Sequence, residues 1–240
     1  MMLEFSNDLR QALGVWRRSP ALPTTSLALG LVYLVPEPYA LGMFPLILFG
    51  IGWVGTERIW YLRSFRGRSI SFGEIWRFTW GFLGRFVALG VLVLLVYVPL
   101  FLAFAPTGNL SLLLAIATIL TIPVDVALTF VTPALTYSTR RATTAIGLGL
   151  QTLRDEWPRC AVYALVPPLA FIVASLLSPT QAVVQALLSG AAMLFNLWVK
   201  GATAAFYLRR HDTGDDGAAF IPRGQETWDQ PREDWRNPLG

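Results

Sequence analysis

The feature that most constrains the fold is a run of 20 consecutive residues, 86–105, without a charged side chain. An α-helix needs about 20 apolar residues to cross the hydrocarbon core of a bilayer. Over the whole chain, 14% of the residues are charged, whereas soluble domains have about 25%. Hydrophobic residues make up 54% of the chain. The sequence therefore predicts an integral membrane protein.

Six stretches are apolar enough to be membrane-spanning helices: 21–35, 39–55, 86–105, 110–137, 160–177 and 182–208. The first is short, so a re-entrant segment is an alternative there, and the second can continue as helix through Trp60. The connections 36–38, 106–109 and 178–181 are short and rich in residues that turn the chain. The expected fold class is an all-α integral membrane protein, with six transmembrane helices in three hairpins.

The distribution of positive charge predicts the orientation. All 19 Lys and Arg residues lie within 1–20, 56–85, 138–159 and 200–240, and the three short connections contain none. Connections rich in Lys and Arg stay on the cytoplasmic side of the membrane. We therefore expect a multi-pass protein of the cell (inner) membrane, with cytoplasmic N- and C-termini.

An amphipathic segment precedes each predicted hairpin. Ser71 and Glu74 form an S-x-x-E capping box, which predicts a helix over 71–84 that lies in the interface, separate from the third span. Apolar residues recur at helical spacing in two further segments. They are Phe5, Leu9, Leu13 and Trp16 in the first, and Ile146, Leu150, Leu153 and Trp157 in the second. The pattern indicates a degenerate threefold unit of interfacial helix, span, turn and span.

The predicted domain organisation is a six-span membrane domain over 1–210 and a disordered acidic cytoplasmic tail over 211–240. The tail has many acidic residues and little apolar content, so it cannot form a core. Trp228 and Trp235 within it could form a docking motif, but an unselected tail is the favoured interpretation.

The residue types that most enzymes use are scarce. Cys160 is the only cysteine and His211 the only histidine, so a thiolate metal cluster is excluded. A triad or metal site would have to be built around His211. We expect no enzymatic activity, no catalytic or metal-binding residue and no cofactor.

Three polar residues within the predicted spans are candidates for a shared site. Asp125 lies in the fourth span, two residues after Pro123, and a carboxylate there is expensive unless it faces protein or water. Asn196 and Lys200 share a face of the sixth span at a similar depth. We predict that Asp125, Asn196 and Lys200 form an intramembrane polar cluster. The alternatives are a structural role for Asp125 and a Lys200 side chain that extends to the headgroups.

Three segments, 63–86, 133–159 and 204–216, carry a resemblance to a known family. The first contains R-S-F-R-G-R-S-I-S-F-G-E-I-W, the second P-A-L-T-Y-S-T-R-R and the third A-A-F-Y-L-R-R-H-D. They resemble the polytopic membrane domain found beside the catalytic domain of glycerophosphoryl diester phosphodiesterases, and also alone. The resemblance implies hairpins led by interfacial helices, and a last span that closes on Tyr207 and Arg209–Arg210. The catalytic domain is absent, so the resemblance implies no activity for this chain.

The expected function is therefore that of a non-catalytic inner-membrane scaffold or transport-associated accessory component. A small secondary transporter or channel that uses Asp125 is the alternative, and an integral membrane enzyme acting on lipid is a third. The expected partners are anionic lipid headgroups, and another membrane protein is a second candidate partner. Nucleic acid is not expected, because topology and lipid already account for the basic connections.

Overall fold

The computed structural model describes residues 2–32, 41–104, 110–176 and 182–211, which form helices and turns and contain no strand. The α-helices are α1 (Met2–Arg18), α2 (Ala21–Val32), α3 (Phe44–Phe65), α4 (Phe72–Phe104), α5 (Leu110–Pro133), α6 (Ala142–Asp155), α7 (Ala161–Leu176) and α8 (Ala182–Arg210). A 3-10 turn, Leu41–Met43, leads into α3, and a π-turn, Ala134–Ser138, continues α5. The all-α prediction is confirmed. The predicted hairpin turns and the tail beyond His211 lie outside the described residues.

The capping box predicted at Ser71 is present, but the separate interfacial helix is not. The Ser71 amide donates to Glu74 Oε2 at 3.0 Å, and the Glu74 amide donates to Ser71 Oγ at 3.4 Å. From this cap, α4 runs without interruption from Phe72 to Phe104. The predicted break near residue 84 is wrong, because isolated glycines such as Gly84 weaken a helix by only about 1 kcal/mol each.

Each segment that leads a predicted hairpin packs against the helix that ends the neighbouring one. We call α1, residues 72–84 and α6 the leading segments, and α3, α5 and α8 the returning helices. Residues 72–84 pack on α3, α6 packs on α5, and α1 packs on α8. The three contacts therefore connect the three predicted hairpins to one another in a cycle.

A glycine allows close approach in each of these three contacts. A Cβ on Gly201 of α8 would lie 2.7 Å from the Cβ of Ala12 on α1. A Cβ on Gly149 of α6 would lie 2.5 Å from the amide nitrogen of Val131 on α5. A Cβ on Gly52 of α3 would collide with the backbone carbonyl oxygen of Thr79 on α4. Small residues thus permit close helix packing in all three pairs.

Two of the leading segments leave some large apolar side chains exposed. In α6 the buried residues are Ala142, Ala145, Gly149 and Thr152, whereas Leu150 is exposed, as is Trp157 just after the end of the helix. In α4, Trp76 and Trp80 are exposed, whereas Phe78, Thr79 and Phe82 of the same turns are buried. Both segments therefore leave large apolar side chains on the outside of the described helices.

The outward apolar surface continues along α4. The exposed aliphatic residues in its second half are Val87, Val91, Leu94, Leu95, Val98 and Leu102. Within the described part of the chain, one helical segment, Phe72–Pro99, is long and apolar enough to cross a membrane. Ala21–Leu31 and Ala161–Ala170 are shorter apolar helical stretches.

Most of the described core lies near one end of the helices, which we call the basic end because the turns with Arg66, Arg68, Arg140 and Arg141 follow there. Every residue over 55–64 of α3 and over 201–207 of α8 is buried. Arg58, which the sequence pattern assigned to a connection, lies inside α3 and is only 4% exposed. The interior at this end is consequently rich in polar groups.

Candidate functional site

Three buried tyrosines join the returning helices to one another, and we call them the tyrosine ring: Tyr61, Tyr137 and Tyr207. The Tyr61 hydroxyl donates to the Leu197 carbonyl on α8 at 3.0 Å. The Tyr137 hydroxyl donates to the Arg58 carbonyl on α3 at 2.8 Å. Tyr207 and Ser138 hydroxyls lie 2.8 Å apart and link α8 to the π-turn. Each tyrosine thus binds the returning helix of a different hairpin, and the three bonds close a circle.

Arg58 lies where the three returning helices meet. Its Nη1 donates to the Lys200 carbonyl on α8 at 3.1 Å, and its Nη2 donates to Thr132 Oγ1 on α5 at 2.7 Å. A side chain of α3 therefore reaches both of the other returning helices. Its third donor, Nε, is buried without a hydrogen-bond partner.

Glu57 and Lys200 form an ion pair beside Arg58. Lys200 Nζ lies 3.2 Å from Glu57 Oε2, and the Glu57 side chain is 6% exposed. An ion pair that loses its water needs close geometry to be stable, and removing one partner leaves an expensive buried charge. The pair therefore couples α3 to α8 near Arg58.

A second polar cluster fastens α1 to the ends of α7 and α8. Asp8 of α1 is fully buried. Its carboxylate accepts hydrogen bonds from the Tyr163 hydroxyl and from both Nη atoms of Arg209, the Nη2 contact being 2.8 Å. Arg209 Nη2 also lies 3.3 Å from Glu4. The hydrogen bond to Asp8 raises the pKa of Arg209 above its ordinary value, so this cation stays charged at any physiological pH.

Two indole groups complete the attachment of α1. Trp198 Nε1 donates to the Leu9 carbonyl at 2.7 Å, and Trp16 Nε1 donates to the Tyr61 hydroxyl at 2.7 Å. The second bond connects α1 directly to the tyrosine ring. The leading helix is therefore held by polar contacts with other helices, which its amphipathic pattern did not predict.

His211 directly follows α8 and is the first residue of the predicted acidic tail. Its Nε2 lies 3.2 Å from Thr152 Oγ1, and its ring lies 4.3 Å from that of Tyr207. Burial, and then the neighbouring Arg210, lowers the pKa of His211 below its ordinary value. A neutral imidazole bonded to a threonine hydroxyl fits a structural role.

The structure does not bring the predicted polar cluster together. Asp125 is exposed, and within the described residues its carboxylate makes no hydrogen bond or ion pair. Asn196 is also exposed. Lys200 pairs with Glu57, so the expected contact of Asp125 with Asn196 or Lys200 is absent. The returning helices do meet at Lys200, but α3 supplies its carboxylate partner.

The residues that the sequence reasoning missed are Glu57 and Arg58. Both were counted with a basic connection, because the apolar run weakens after Gly55. A usable signal was present in the sequence. An adjacent acid and base are followed by Ile59, Trp60, Tyr61 and Leu62, which is typical of a helix that stays buried beyond the apolar run.

The described residues contain no group of three or more His, Cys, Asp or Glu side chains that could hold a metal ion. The Asp8, Glu57 and Arg58 side chains are instead engaged in contacts between helices. Comparisons with protein-family models, curated proteins and solved structures found no match to this chain.

Proposed function

We propose that this chain is a multi-pass inner-membrane protein without catalytic activity that holds another membrane protein, as a scaffold or transport-associated accessory. Six spans in three hairpins, with both termini in the cytoplasm, follow from the charge distribution. The resemblance to the phosphodiesterase-associated membrane domain supports the same role. Tyr207 and Ser138, which belong to two of its motif segments, are hydrogen-bonded to each other.

The polar interior and apolar exterior support a membrane location. Arg58, Glu57 and Asp8 are buried and hydrogen-bonded to neighbouring helices, while large apolar side chains of α4 face outward. In lipid, helix association depends on close packing and polar contacts between helices. This arrangement is the one that a bilayer stabilises.

The residues on the outer face of α4 are the observation that supports a protein partner. Gly81, Gly84, Ala88, Val91 and Leu95 fall on one side of this helix, and all are exposed. A Cβ on Gly81 or Gly84 would meet no atom within 4 Å. Small residues within an apolar helix face allow another membrane helix to approach closely. A helix of a partner protein is the occupant that this face fits.

Site-specific photocrosslinking in native membranes tests the proposal. A photoreactive residue at Val91 should give one discrete crosslinked protein, and the same residue at Leu169, which is exposed on α7, should give chiefly lipid adducts. An added Gly84→Leu substitution should abolish the protein adduct, because it fills the space that the partner helix needs. Lipid adducts alone at both positions would contradict a protein partner on α4.

One observation favours the alternative of a small transporter or channel. Asp125 is exposed, and within the described chain its carboxylate has no hydrogen bond or ion pair. A carboxylate at membrane depth usually faces water or a partner and often belongs to a proton or ion pathway. In proteoliposomes that hold the purified chain, a transporter should show an ion or proton flux that Asp125→Asn abolishes. A wild-type protein that carries no flux above that of empty vesicles would reject this alternative.

A further inference from the structure

The charges around Arg58 do not balance. Arg58 and Lys200 contribute two positive charges. Among the described residues, Glu57 is the one carboxylate within 4 Å of either cation, and it contributes one negative charge. Glu57 lies 3.2 Å from Lys200, and the contacts of Arg58 are with a backbone carbonyl and a hydroxyl, both neutral. The centre of the described helices therefore carries one uncompensated positive charge.

An isolated charge of this kind is costly in a protein interior. Moving a cation from water into a low-dielectric medium costs several kcal/mol even after relaxation, and neutral hydrogen-bond acceptors recover only part of that cost. Arg58 is 4% exposed, so bulk solvent does little to screen it. Its guanidinium cannot lose its proton at physiological pH, so it cannot become neutral instead.

The hydrogen bonding of Arg58 is also incomplete. The Nε–H group is buried and has no partner, whereas Nη1 and Nη2 are both bonded. Buried polar groups in native proteins nearly always have a partner, and an exception calls for a bound water or ion. A water molecule would satisfy Nε but would leave the charge uncompensated. An anion would satisfy both requirements.

We propose that Arg58 binds a small inorganic anion of single charge, with the Nε–H group as its main donor and the Lys200 ammonium as a second source of positive potential. The site lies where α3, α5 and α8 meet. The anion would complete the polar centre of the three returning helices. This inference goes beyond the proposed function and does not depend on it.

Chloride is a suitable probe, and thermal unfolding of the purified full-length chain in detergent is the readout. A ligand that binds only the folded state stabilises it by RT ln(1 + [L]/Kd), so the unfolding temperature keeps rising with the logarithm of the ligand concentration above Kd. Replacing gluconate by chloride at constant ionic strength should raise the unfolding temperature of the wild type with this dependence, and the fitted Kd is the half-saturating chloride concentration. Arg58→Gln should lose this dependence. Arg68→Gln, a matched change at an exposed arginine in a turn, should retain it.

Two further variants keep the test decisive if Arg58→Gln fails to fold. Glu57→Gln removes the local negative charge and should lower the half-saturating chloride concentration by about tenfold or more, the effect of one unit charge within about 10 Å at an effective dielectric constant of about 20. Lys200→Gln removes a positive charge and frees Glu57, so it should raise that concentration by a similar factor. Crystals grown in bromide should show an anomalous peak within hydrogen-bonding distance of Arg58 Nε.

Unfolding temperatures that respond equally to chloride and gluconate in the wild type would overturn the proposal. Equal half-saturation in the wild type, Glu57→Gln and Lys200→Gln would also overturn it.

Discussion

At the scale of single residues, buried polar side chains determine which helices associate. Tyr61, Tyr137 and Tyr207 each donate or share one hydrogen bond with a different returning helix. A buried hydroxyl that loses its partner costs about 1–3 kcal/mol, so each bond disfavours alternative arrangements of the helices. Apolar packing alone discriminates less, because lipid tails are as apolar as leucine.

Asp8 offers the sharpest test at this scale. Asp8→Asn removes the charge that Arg209 and Tyr163 share, and it should lower the free energy of unfolding by about 2–3 kcal/mol. Glu4→Gln is the matched control on the same helix, since Glu4 is partly exposed and its ion pair with Arg209 is worth about 1 kcal/mol or less. Chemical unfolding in mixed micelles measures both. Equal losses in the two variants would contradict the special role of the buried carboxylate.

The local chemistry of residues was predictable from sequence, but their distant partners were not. The Ser71–Glu74 capping box joins residues three positions apart, and a local pattern encodes it completely. Lys200 was recognised as a polar residue within a span, but its partner Glu57 lies 143 positions away. Nothing in the sequence near Lys200 distinguishes Glu57 from Asp125. That choice depends on how the helices are arranged.

At the scale of helices, α4 joins the predicted interfacial segment and the predicted third span in one continuous helix. Its 33 residues extend about 50 Å at a rise of about 1.5 Å per residue, whereas the hydrocarbon core is about 30 Å thick. The first turns, with Trp76 and Trp80 exposed, are thus long enough to lie in the headgroup region. The composition of both parts was predicted. Their continuity was missed, because the amphipathic first part and the apolar second part were assigned to two helices. The helical pattern itself does not end at residue 84.

Glycine substitutions test the close packing of α4 on α3. Gly52→Ala places a methyl group against the Thr79 carbonyl and should lower the free energy of unfolding by about 1–3 kcal/mol. Gly81→Ala is the control within α4, where the new methyl group meets no atom within 4 Å. It should raise stability by up to about 1 kcal/mol, because alanine favours the helix over glycine. Thermal unfolding in detergent measures both, and a neutral Gly52→Ala variant would contradict the described contact.

At the scale of the whole molecule, the contacts follow a threefold order. Each leading segment packs on the returning helix of the preceding unit, and α1 closes the circle by packing on α8. A glycine allows close approach in each contact: Gly52 and Gly201 lie on returning helices, and Gly149 lies on a leading segment. The sequence suggested three similar units. It could not show that they interlock, because the contacts join residues far apart in the chain.

The central claim is a multi-pass topology with the basic end inside the cell, and substituted-cysteine accessibility tests it most directly. In a Cys160→Ala background, single cysteines at Asn109 and Ser178 should react with a membrane-impermeant maleimide on intact cells. Cysteines at Gly67 and Gly147, which are exposed near the basic turns, should react only after the membrane is opened. Labelling of position 67 or 147 from outside, or protection of 109 and 178 until opening, would contradict the account.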